Sequence, residues 1–192
     1  MLRKVLALRL AAFLVSIALV AFGAYHLLSS GHDSQRPRRD ACIDRMVASL
    51  QKLDQIRTML REDGLHAVGR FRINDYWLID GQWTIRGRNL VPEEDVLRSA
   101  RIDLLRYRSY CHILDDVSAK WARSGSDNGN DNSETEVFVF EGGIAGSSQV
   151  ISFACPQKPP KLDVGVNDVM DLSPGKEVYV GAAGAWYVKF SR

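Results

Sequence analysis

A charged start, Met1-Leu-Arg-Lys, leads into an apolar segment from Val5 to Leu28 that only Arg9 interrupts. Between Leu10 and Leu28 lie 19 residues with no permanently charged side chain. At about 1.5 Å of rise per residue, such a helix nearly spans the ~30 Å hydrocarbon core of a bilayer. A cleaved secretory signal has a shorter apolar core, ~7 to 15 residues, closed by small residues spaced as Ala-x-Ala. The nearest approach here is Ala21-Phe22-Gly23, after which Tyr25, His26, Leu27 and Leu28 continue in the manner of an interfacial segment. Residues 1–28 are therefore read as an uncleaved transmembrane signal anchor, with a signal peptide as the competing reading.

Orientation follows from what must cross. Arg3, Lys4 and Arg9 on one side nearly balance Arg36, Arg38 and Arg39 on the other. Long domains translocate largely regardless of charge, so the short N-terminal tail stays in the cytoplasm and the remainder lies outside it. The expected location is a bacterial inner membrane crossed once, through residues 5–28, with the C-terminal domain in the periplasm. Residues 29–40, including Ser-Ser-Gly-His-Asp-Ser-Gln-Arg-Pro-Arg-Arg, lack apolar content and form a flexible tether.

All 23 acidic residues follow Leu28, while three of the 25 basic ones precede it. The remainder thus carries 22 basic against 23 acidic residues, and the basic excess belongs to the anchor. A nucleic-acid partner is not expected, because it calls for a basic domain or stripe. Residues 41–192 are long enough for one domain with one core.

The stripe Ile43, Met46, Val47, Leu50, Leu53, Ile56 and Leu60 recurs at steps of three and four, predicting a helix capped by Asp40 and ended by Gly64. Tyr76-Trp77-Leu78-Ile79 and Gln82-Trp83-Thr84-Ile85 flank Asp80-Gly81, a strong hairpin signal. Pro92 followed by Glu93, Glu94 and Asp95 suits the start of a second helix, with Leu97, Ala100, Leu104, Tyr107, Cys111, Leu114 and Trp121 as its buried stripe. Four strand candidates come later, at 136–141, 149–155, 176–181 and 185–190. The fold class is α+β, two helices packed on one face of an antiparallel sheet, in the order helix, hairpin, helix, hairpin, hairpin. That order resembles NTF2-like domains in architecture alone, with no motif behind it and no functional implication.

Cys42, Cys111 and Cys155 form no Cys-x-x-Cys and have no histidine at zinc-ligand spacing, so no metal is expected. In an oxidising compartment one disulfide is the natural arithmetic. If the two helices lie antiparallel and the second begins near Glu94, Cys42 comes level with about residue 115, which favours a Cys42–Cys111 bridge, with Cys111–Cys155 as the alternative if the helices shift by a turn or tilt.

Chemistry is sparse. His112, Asp115 and Asp116 share one helix face, the minimum for a general base in a small envelope hydrolase, but no nucleophile accompanies them. The run Gly142 to Ser148 lacks the ending of a phosphate-binding loop, and Asp127, Asp131 and Glu134 do not match a calcium loop; no cofactor is expected. Adjacent aromatics on a strand point to opposite faces, so one each of Tyr76/Trp77 and Trp186/Tyr187 must leave the core. Together with Trp83 these form the candidate partner-binding set. The reading is a protein-binding domain, an envelope assembly subunit, inhibitor or immunity-type factor that engages another envelope or secreted protein without catalysis.

Overall fold

The computed structural model describes residues 38–85, 89–125, 134–142 and 148–192. The expected anchor at 1–28 and the tether up to residue 37 lie outside the described residues, as do most of the loops at 124–135 and 142–148. Helix α1 (Arg39–Asp63) stops where Gly64 takes a left-handed turn (φ 64°) and its N–H returns to the Leu60 carbonyl. Met46, Leu53, Ile56 and Leu60 are buried as the spacing requires, joined by Cys42, Ser49 and Met59, whereas Val47 is 52% exposed. Asp40 is not the cap. The N-cap is Arg38, and the Asp40 carboxylate sits inside the first turn, accepting from Arg39 Nε at 2.9 Å.

Five short strands follow: β1 (Ala67–Gly69), β2 (Arg72–Ile73), β3 (Tyr76–Ile79), β4 (Gln82–Ile85) and β5 (Asn89–Leu90). The β3–β4 hairpin forms as expected. Asp80 (φ 49°) and Gly81 (φ 77°) both adopt the left-handed conformation that matches a two-residue turn to strand twist.

The second helix departs from expectation. It is two helices, α2 (Glu93–Ala100) and α3 (Leu104–Asp116), because Arg101 turns left-handed (φ 56°) and Asp103 starts a new helix by accepting the Arg106 N–H at 2.6 Å. Trp121 is not on a helix at all. Ser118 (φ 53°) ends the turn after α3, and Trp121–Ser124 forms β6. The remaining strands, β7 (Thr135–Gly142), β8 (Gln149–Cys155), β9 (Glu177–Ala183) and β10 (Trp186–Ser191), fall within a residue or two of the expected segments. Among the described residues the order is thus helix, five strands, two helices, five strands, with one 3-10 turn at Val169–Asp171 between β8 and β9.

All ten strands join one antiparallel sheet in the order β5-β4-β3-β2-β1-β6-β7-β8-β10-β9. One cross-strand row, Tyr76, Ile73, Val68, Ala122, Val137, Phe153, Val188 and Gly181, lies on the face that carries the helices. Ile43 of α1 lies against Gly181, Tyr107 of α3 against Trp83, and Ser99 of α2 against Tyr76. Burying each large apolar side chain here contributes about 1.5–3 kcal/mol, which fixes this face as the core. The segment after β8 lies along β9, where Leu162 makes a parallel bridge to Tyr179 and the Asp163 N–H reaches the Tyr179 carbonyl at 2.7 Å. Among the described residues no helix is long and apolar enough to cross a membrane.

The split helix also changes the cysteine geometry. Lys52 meets Asp116 at 2.5 Å, and Asp63 meets Arg106 at 2.7 Å and the Tyr110 hydroxyl at 2.7 Å, so α1 and α3 are antiparallel with Cys111 level with about residue 57. Cys42 then lies about 20 Å further along α1, far beyond the ~7 Å Cα separation that a disulfide tolerates. All three cysteines are thiols. Burial pushes the Cys42 thiol up to about 11, and Cys155 Sγ lies 2.9 Å from Arg57 Nη1.

Candidate protein-binding face

The opposite face of the sheet carries a second cross-strand row: Trp77, Arg72, Gly69, Trp121, Phe138, Ser152, Lys189 and Tyr179. None of the helix contacts described above falls on it. Arg72 and Trp121 stand two strands apart, roughly 9.5 Å, yet the Arg72 guanidinium lies 4.7 Å from the Trp121 ring and 4.6 Å from Trp77. Glycine at position 69, between them, leaves the space for that reach. A Cβ there would run into the Trp121 Cβ and come within 2.7 Å of the Lys120 carbonyl oxygen. Trp121 stacks on Phe138 with ring centroids 3.9 Å apart and planes 5° from parallel, and Arg123 lies 5.4 Å over the other ring. Its indole N–H is held by Glu141 at 2.9 Å. The outcome is a continuous aromatic and arginine stack whose end member, Trp77, is 41% exposed beside Ile79 at 48%.

Further along the same face the chemistry turns ionic. Glu136 is buried, yet it accepts from Arg123 Nε and Nη2 at 2.9 and 2.6 Å and from Ser152 Oγ at 2.9 Å, with Lys189 Nζ 3.1 Å away. Lys189 also reaches Glu177 at 3.1 Å, and the Tyr179 hydroxyl donates to Glu134 at 2.9 Å. Burial acts to raise the Glu136 carboxyl, but the charges of Lys189 and Arg123 and the donated hydrogen bonds outweigh it and hold it below the usual carboxylate range. The pair stays ionised, so this half of the face is rigid and polar.

The expected binding residues divide between the two faces. Trp77 and Tyr187 lie on the side opposite the described helices, Tyr187 set edge-on to Tyr179 at 6.0 Å. Tyr76 is half-buried on the helix side and donates to Ser99 Oγ at 3.2 Å. Trp83 and Trp186 belong to the core, 5% and 1% exposed, Trp186 donating to Asp54 at 3.0 Å. Neither presents a surface to a partner. Sequence reasoning missed Arg72, Trp121 and Phe138; the signal for Trp121 was the alternation of Trp121 and Arg123 with the small Ala122, hidden by the apolar spacing that continued the preceding helix.

His112 is 78% exposed and 3.4 Å from Asp116, whose carboxylate is taken by Lys52 and held ionised by that hydrogen bond. Asp115 is bound by Arg70 at 2.5 Å. Both acids thus tie α3 to other elements, Asp116 while also lying against the imidazole. Among the described residues no group of three His, Cys, Asp or Glu side chains could hold a metal ion. The chain matches no protein-family profile, and no curated protein or solved structure is significantly similar to it.

Proposed function

We propose that this protein is a binding domain tethered by residues 1–28 to a bacterial inner membrane, which engages another envelope or secreted protein in the periplasm and performs no catalysis. The observation that carries the reading is the sheet face opposite the described helices, where Trp77 and Ile79 stand exposed at the end of a stack built by Arg72, Trp121 and Phe138. Rigid aromatic and arginine anchors are the side chains that dominate protein interfaces, because they bury much area for little lost rotamer freedom. The partner-binding roles this reading covers are those of an assembly subunit, an inhibitor or an immunity-type factor.

A photo-crosslinking residue placed at Ile79, compared with one at Leu105 on α3, tests this in cells; Leu105 is a fair control at 73% exposure. The expected result is one discrete protein adduct from position 79, absent from position 105 and lost when Trp77 is changed to Ala. Equal labelling from both positions, or no adduct from position 79, would refute it.

A further inference from the structure

The exposed end of the protein-binding face turns on how Trp77 is held. An indole on a sheet surface has several rotamers open to it, and ordering one of them on contact costs binding free energy. Arg72 pairs with Trp77 across β2 and β3, its guanidinium carbon 4.6 Å from the Trp77 ring centroid and 4.7 Å from that of Trp121. A guanidinium is planar and stacks on aromatic faces, whereas an ammonium is a compact, strongly hydrated point charge. Trp121 is itself fixed by the Phe138 ring and by Glu141. Arg72 therefore couples the exposed indole to the rigid part of the stack. From the β4 side, the Thr84 hydroxyl donates to the Trp77 carbonyl at 3.2 Å and steadies the backbone from which the ring projects.

The guanidinium is aimed by the turn that follows it. Arg72 Nε donates to the Asn74 carbonyl oxygen at 3.0 Å. Asn74 holds a left-handed backbone conformation, φ 50°, that asparagine adopts more readily than most residues. Its side-chain oxygen accepts the N–H groups of His66 at 3.0 Å and Ala67 at 3.3 Å, and its own N–H reaches the Ala67 carbonyl at 2.8 Å. These bonds tie the β2–β3 turn to the start of β1, so the oxygen that receives Arg72 is fixed in place.

We infer that Arg72 is a positioning residue of this interface: it holds the Trp77 indole in its partner-bound orientation before the partner arrives, through the planar shape of the guanidinium rather than its charge alone. The inference rests on the protein-binding reading of this face. Fluorine NMR of the full chain in a non-ionic detergent, with its four tryptophans fluorinated on the indole, tests it; the Trp77 resonance is the one lost in Trp77→Phe. In the parent chain that resonance is expected to relax as fast as those of the core residues Trp83 and Trp186. Arg72→Lys is expected to shift it and slow its transverse relaxation while leaving Trp83 and Trp186 in place. The same variant should cut the adduct from a photo-crosslinking residue at position 79 by about fivefold or more. Arg70→Lys, at an exposed arginine that pairs with Asp115 instead, leaves both signals unchanged. A Trp77 ring already mobile in the parent, or an Arg72→Lys chain with the parent's relaxation or adduct yield, overturns the inference while the protein-binding reading stands. Absence of the adduct from the parent overturns both.

Discussion

Glu136 is the one buried carboxylate among the described residues, and its surroundings explain why it is tolerated. A lone charge in that position would cost several kcal/mol in lost hydration. Arg123, Lys189 and Ser152 replace the water, so the ion pair is fully hydrogen-bonded rather than merely close. Because the folded carboxyl titrates below its unfolded value, its contribution to stability is present above the unfolded pKa, about 4.3, and is lost as pH falls through the lower folded value. Urea midpoints are therefore expected to drop as pH falls below about 4. Glu136→Gln should lower stability by about 3 kcal/mol at pH 7, leaving Lys189 and Arg123 facing each other, and should flatten that acid limb. An acid limb as steep in the variant as in the parent would show that other carboxylates control it. Nothing in the residue pattern marked Glu136 as special, since Glu136 and Arg123 become neighbours only when β6 and β7 pair.

At the scale of elements, α1 and β9 approach closely at Gly181, where a larger residue would have to displace Ile43. A Cβ on Gly181 would overlap Cγ1 and Cδ1 of Ile43. Gly181→Ala is expected to cost about 1–3 kcal/mol through overpacking. Ile43→Ala removes the obstructing atoms, so the double variant should be less destabilised than the sum of the singles, by at least 0.5 kcal/mol in a denaturation cycle. Strict additivity would place the strain elsewhere. The elements differed in how much of themselves was legible. The β3–β4 hairpin and the last four strands carry their own alternation and turn residues, and they appear where that pattern puts them. The break between α2 and α3 was hidden, because Leu97, Ala100, Leu104, Tyr107 and Leu114 continue a helical spacing straight through it. The break depends on Arg101 adopting a conformation that non-glycine residues rarely take, supported by the Asp103 cap that follows.

For the whole molecule, the proposal joins a membrane segment to a domain whose sheet carries the described helices on one face and exposes Trp77 and Ile79 on the other. The full chain is expected to remain with membranes after alkaline carbonate extraction, and a chain lacking residues 2–28 to be released while keeping the same urea midpoint. Release of the full chain, or an intact mass showing cleavage near Gly23, would eliminate the anchor. The sequence by itself determined what depends on neighbours a few residues apart: α1, the Asp80-Gly81 hairpin, the closing strands and the opposite sidedness of Trp77 and Tyr76, because side-chain alternation is a property of the extended backbone. Only the tertiary structure decided which strands lie side by side. The aromatic stack needs Gly69 between Arg72 and Trp121, so it exists only because β1 pairs with both β2 and β6. Burial of the shared core selects that pairing, and no local pattern encodes it.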